Sequence, residues 1–369
     1  MKIRYIRDPC CISAAFIIAW TAAAGGADDF MTITPVHEVR PYQDIRFKDL
    51  RGIDFSGKGE LPATFWFNQK TVWPDSNAMP RAAASLLADM KNPGLGVRKL
   101  HAQGITGKGV KVAIIDQPLW QDHPEFTGKI VAYHDVGCES ETSMHGPAVA
   151  SLLVGSECGT APEARLYYVA APSWTGDSAF YAKSLDWLVE QNAKMPAGDK
   201  IRVVSVSAAP SGKGSPFKKN QQSWDVAVIR AEQAGILVLD CSEEYGFIGP
   251  CYYDAKAPED VTRCKPGFPS MPGRLSAGGR LLVPCSPRST AEEYIKGEYS
   301  YQYCGQGGLS WSIPYCAGVL ALGWQVSPEL TPIQIRELLF SSAHKVSEGA
   351  LIIDPAEFIR LVKAKGETR

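Results

Sequence analysis

"GKGVKVAIIDQPLWQDHPEF", residues 107–126, opens on two glycines, passes through the apolar run Val112–Ile115 and halts on an acid, Asp116. A short, β-branched apolar run bounded by turn residues predicts a strand over 111–116. The pattern recurs at "RLYYVA" (165–170), "VVSVS" (203–207) and "ILVLD" (236–240). Between these runs lie helical segments: one from about Gly146, one through "FYAKSLDWLVEQN" (180–192), and one ending near Ala234. Apolar strands alternating with helices predict an α/β fold, doubly wound, with a mainly parallel sheet and helices on both faces. Asp116 then closes a strand at its carboxyl end, where open α/β sheets gather ligand and catalytic groups.

A second stretch, "GQGGLSWSIPYCAGVLAL" (305–322), raises a chemical question. Proline is tolerated in the first turn of a helix, so Pro314 predicts a helix starting near Ser310. Free N–H groups and the positive dipole end at that start favour developing negative charge, which suits a nucleophilic serine making an oxyanion. Ser312, further in, is expected to pack or cap. A lone serine at a helix start needs no function beyond capping. Ser310 is not alone, because "SMHGPAVASLLVG" (143–155) places His145 just before a small-residue helix.

In the order Asp, His, Ser, these stretches resemble the subtilisin-like serine peptidases, the subtilases. The run up to Asp116 and His123-Pro124 resembles the family's Asp motif, His145–Ser151 its HGTxVAG motif, and Gly308–Gly318 its GTSMAxPxxAG motif. "GTAPEARLYYVA" (159–170) and "VVSVSAA" (203–209) resemble two further family strands, the second lining the peptide cleft. The resemblance covers roughly residues 95–360 and implies a subtilisin-like fold. It also implies a mechanism: Ser310 attacks a peptide carbonyl, His145 takes its proton and returns it to the leaving amine, and Asp116 orients the imidazole. Ser207 and Ala208 would pair with substrate backbone, and no metal or other cofactor takes part.

The sequence also departs from the family. Where subtilases carry an oxyanion-binding Asn after "GVVVVAAAGN", this chain reads "GILVLDCSEEYG" (235–246), which puts Glu244 at that position. An ionised carboxylate only accepts hydrogen bonds, so Glu244 must be protonated to donate, or Ser242 or Tyr245 must substitute. Gln117-Pro118, Pro147, Ala208 and Trp311-Ser312 replace Thr-Gly, Thr, Leu and Met-Ala. Two readings follow: an exported serine endopeptidase, its activity weakened at Glu244, or a catalytically silent subtilase-fold protein that binds peptides or regulates a partner. An esterase using Ser310 with His344 fails, because Ser312 breaks the GxSxG elbow and no Asp lies between those two residues.

The rest of the chain sets the context. Lys2, Arg4 and Arg7 precede an uncharged run from Cys10 to Ala27, which predicts a signal peptide over 1–27 and a secreted or cell-envelope protein. Residues 28–92 read as an N-terminal extension or pro-region, and 93–369 as the peptidase domain. A net charge of −1 with 21% charged residues points to neither nucleic acid nor, once the signal is cleaved, stable membrane association. The expected partner is a peptide or protein substrate. Beyond the signal lie eight cysteines without a CxxC, arguing for disulfides, with Cys251–Cys264 or Cys285–Cys304 as candidates, and against zinc. Asp240, acidic in an apolar strand, is expected in a hydrogen-bonded network. His123 reads as a turn residue, His37, His101, His134 and His344 as surface or satisfied, and Trp174 and Tyr181 as core or pocket aromatics.

Overall fold

Val112, Ala113, Ile114 and Ile115 are completely buried, which fixes the strand they form at the centre of the molecule. In the computed structural model, which describes residues 31–75, 78–242, 246–276, 278–346 and 349–367, the elements that position the site can be numbered along the chain. They are β1 (Trp66–Asn68), α1 (Met79–Asp89), β2 (Lys111–Asp116), β3 (Ile130–Asp135), α2 (His145–Val154), β4 (Arg165–Ala170), α3 (Ser178–Ala193), β5 (Ile201–Val206), α4 (Gln221–Gln233) and β6 (Leu237–Asp240). After them come β7 (Ile248–Tyr252), β8 (Leu281–Ser286), β9 (Arg288–Glu292), β10 (Ser300–Cys304) and α5 (Leu309–Val326). The expected signal peptide and Glu244 lie outside the described residues.

The central sheet is parallel throughout, in the order β3-β4-β2-β5-β6. Because β3 and β4 lie on one side of β2 and β5 and β6 on the other, the order reverses around β2, and such a switch point opens a crevice at the carboxyl ends of the strands. Helices α2 and α5 pack in the larger apolar core on one face, and α3 and α4 in a second core on the other. The α/β, doubly wound architecture expected from the sequence is therefore the one observed.

The stretch after Gly246 reads as loop-rich in the sequence, but it holds β7, β8, β9 and β10. Pro250 and Pro284 sit inside strands, with β8 fully buried and its pairing to β7 shifting register after Pro284. Such an irregularity is where a strand tolerates a residue without an N–H.

Residues 31–90 are joined to this body through a three-stranded antiparallel sheet, β9-β10-β1. Between them Glu292 is fully buried, accepting from Asn68 Nδ2 at 2.8 Å and Ser300 Oγ at 3.0 Å. Burial pushes its carboxyl up to about 7, against the opposing pull of Arg46. A raised folded-state pKa means that the native protein keeps a proton that the unfolded chain releases between its ordinary value and about 7, so this group's contribution to stability falls as pH rises through that window. Glu292→Gln, neutral at every pH, is expected to flatten the fall by about 2–3 kcal/mol between pH 5 and 8. Urea midpoints at the two pH values check this, and equal slopes in the two proteins would refute it.

Candidate active site

Asp116 ends β2 at the switch point, 2% exposed, and its Oδ1 accepts from Gln117 N at 2.8 Å. The same oxygen lies 2.6 Å from His145 Nδ1. His145 begins α2, and the approach of that helix to the strand end depends on Gly146: a Cβ there would stand 2.4 Å from the Gln117 carbonyl and 2.7 Å from that of Pro118. Ser143 Oγ accepts the Gly146 N–H at 2.9 Å, satisfying one orphan donor of the helix start. With Nδ1 committed to Asp116, Nε2 is the ring nitrogen left for base chemistry.

Ser310 is the second residue of α5, whose N-terminus is Leu309 after an extended Gly308. The structure corrects the expected place of Pro314, which lies in the second turn rather than the first. Without an N–H, Pro314 cannot bond the carbonyl four residues back, which belongs to Ser310. Ser207 Oγ donates to that carbonyl at 2.8 Å instead, so the proline is tolerated and the helix start is tied to the end of β5. Ser312 packs, as expected, its Oγ donating to the Val283 carbonyl at 2.8 Å.

Ser310 and His145 line one cavity of about 270 Å³, with Trp311 stacked at a tilt on the imidazole, ring centroids 5.4 Å apart. The Ser310 hydroxyl points elsewhere, donating to the Ser207 carbonyl at 3.2 Å beside the Cys241 thiol. Asp116 and His145 are thus bonded to each other, and Ser310 shares their cavity with its hydroxyl turned away. Catalytic hydrogen bonds are often unmade without substrate, and a staggered rotation of one serine side chain redirects such a hydroxyl.

The remaining expectations divide. Ser207 and Ala208 lie at the end of β5 with their carbonyls already accepting from Ser310 Oγ and Cys241 N. Asp240 is a network residue: its carboxylate accepts from Ser242 N and Trp224 Nε1, and burial pushes it up to about 6. His123 is completely buried in the turn after β2, bonded to Ser300 O and Glu125 N, with its pKa lowered by desolvation. Trp174 is exposed, Tyr181 is core, and neither lines the cavity. The eight described cysteines are all thiols, so neither expected disulfide is present; burial raises Cys285 to about 12 and Cys304 to about 11. Among the described residues no cluster of three or more metal-ligating side chains occurs, and no helix is long and apolar enough to cross a membrane. Sequence reasoning missed Tyr42, Thr64 and Trp66, which line the cavity from the N-terminal segment, because nothing local marks a contact across so many residues.

A parallel sheet with an Asp–His pair at its switch point and a serine at a nearby helix start is the kind of arrangement that serine hydrolases use. The model of the subtilase family matches residues 107–242. The subtilisin-like protease PopC of Myxococcus xanthus is 25% identical over 90% of this chain and 76% of its own length. The serine protease AprX of Bacillus subtilis is 25% identical over 66% of this chain and 63% of its own. Among solved structures, the prenylagaramide maturation protease PagA superposes with a TM-score of 0.54 at 17% identity, covering 73% of this chain and 99% of that one. By these matches the chain resembles the subtilase superfamily as a divergent relative.

Proposed function

We propose that the protein is an exported serine endopeptidase that hydrolyses peptide bonds through Asp116, His145 and Ser310. The observation that carries the reading is the 2.6 Å contact between His145 Nδ1 and a buried Asp116, in a cavity shared with Ser310. That contact holds the imidazole with Nε2 as the acceptor for the Ser310 proton. Once rotated, Ser310 Oγ attacks the peptide carbonyl, His145 protonates the leaving amine, and water resolves the acyl-enzyme by the reverse use of the same groups. The start of α5 contributes backbone N–H groups toward the oxyanion, and we assign the second donor to a protonated Glu244 or, failing that, to Ser242. Substrate backbone would add beside Ser207 and Ala208, using the second lone pair of their occupied carbonyls. In an oxidising compartment Cys251 and Cys264, whose thiols face each other, are the pair we expect to close.

Labelling the purified protein with a fluorophosphonate and mapping the adduct tests the reading. The expected result is a single adduct on Ser310. Folded protein that stays unlabelled from pH 4 to 9 would overturn it and favour a silent, peptide-binding subtilase fold.

A further inference from the structure

The N-terminal segment is bound to the rest of the molecule by buried hydrogen bonds and a shared apolar core. Gly305 N–H donates to the Phe65 carbonyl at 2.9 Å, and a Cβ on Gly305 would stand only 2.3 Å from the Ala63 carbonyl. Trp66 Nε1 donates to the buried Gln302 side chain at 2.8 Å, Asn68 to the buried Glu292, and Tyr303 OH to the Ala63 carbonyl at 2.6 Å. Phe65, Phe67 and Tyr303 share one apolar core with Ile45 and Leu50. Departure of the segment would strand Glu292 and Gln302 without these partners and expose that core.

The same segment reaches the candidate active site, where Tyr42 and Trp66 face the cavity that His145, Ser310 and Trp311 line. Phe268 and Met271 add apolar surface. The one carboxylate in the lining, Asp44, receives Arg46 Nε at 3.0 Å and Nη2 at 2.8 Å, a neutral pair that offers no net charge to a ligand. Ser207 and Ala208 lie outside the lining, so the cavity is on the His145 side of the nucleophile, where the departing amine receives its proton. At about 270 Å³ it lies just below the range of small-molecule pockets, a size suited to one large side chain.

We infer that residues 31–75 are a permanent part of the catalytic unit, and that Tyr42 and Trp66 complete a pocket selecting a large aromatic or apolar side chain on the first residue after the scissile bond. This rests on the peptidase reading for its name as a leaving-group pocket; its shape and chemistry stand without it. Phenylalanine amide carries the side chain and amine of such a leaving residue, and Trp66 and Trp311 supply a fluorescence signal.

Titration of the full-length protein is expected to give saturable binding of phenylalanine amide, about tenfold or more tighter than glycine amide. Tyr42→Ala, at a position 37% exposed, and Met271→Ala, at another lining position, should each reduce that preference several-fold. Thermal melts identify any variant that fails to fold, and the two substitutions lie far apart in sequence. Equal binding of the two amides, or a preference indifferent to both substitutions, overturns the pocket. So does an intact mass showing that fluorophosphonate-reactive protein has lost residues 31–75. Discrimination between the amides in a protein that no fluorophosphonate labels would support the pocket and sink the peptidase reading, so the two fail separately.

Discussion

Ser310→Ala is expected to lower kcat on peptide substrates by about 10⁶ and to abolish fluorophosphonate labelling. The stability cost should be small. The lost hydroxyl bonds the Ser207 carbonyl and lies beside the Cys241 thiol, and neutral bonds of this kind contribute about 1 kcal/mol each. The Ser310 carbonyl, which receives Ser207 Oγ and secures the helix start, is backbone and survives the substitution. A folded, inactive variant is therefore the predicted outcome, with its melting temperature within a few degrees of the parent. Peptide hydrolysis that stays within tenfold of the parent would show that another group performs the attack, and the whole assignment would fall.

Asp116, His145 and Ser310 were legible in the sequence because each sits where a regular element starts or stops. The end of an apolar run and the glycines and proline around a helix start are local signals, visible within about ten residues. The contacts that shape the cavity have no such marker. β1 is three residues long, "WFN", and pairs with residues 302–304 across most of the chain, so its place depends on Asn68 meeting Glu292 and Trp66 meeting Gln302. No periodicity in a three-residue strand announces that. The strands β7 and β8 were hidden by Pro250 and Pro284, which argue against a strand until a register shift absorbs one of them. Pro314 was placed one turn too early for a related reason: the missing bond is replaced by Ser207, a residue 103 positions away. At Pro314 the local rule failed because a distant side chain replaced a missing backbone partner.

Asp116→Asn is expected to lower kcat by about 10⁴ while leaving the fold intact, the size of effect seen when the orienting acid of a Ser-His-Asp triad becomes an amide. Asp116 Oδ1 currently accepts from both Gln117 N and His145 Nδ1. An asparagine oxygen in this place can accept from both, whereas the flipped amide sets its NH₂ against the imidazole and gives up the Gln117 bond. In the flipped orientation His145 Nδ1 must accept rather than donate, and the proton moves to Nε2, the nitrogen that has to take the Ser310 proton. The substitution also removes the negative charge that stabilises the imidazolium, in a site where burial leaves little solvent to compensate. The serine keeps its place at the start of α5 throughout, so nucleophile and base remain present and only the charge and the orientation of the imidazole are altered. Comparing labelling rates of the parent and Asp116→Asn at pH 7, with melting curves as the control, checks this. A folded variant labelled within tenfold of the parent rate would show that His145 is oriented by some other group, and the buried 2.6 Å contact would then be structural.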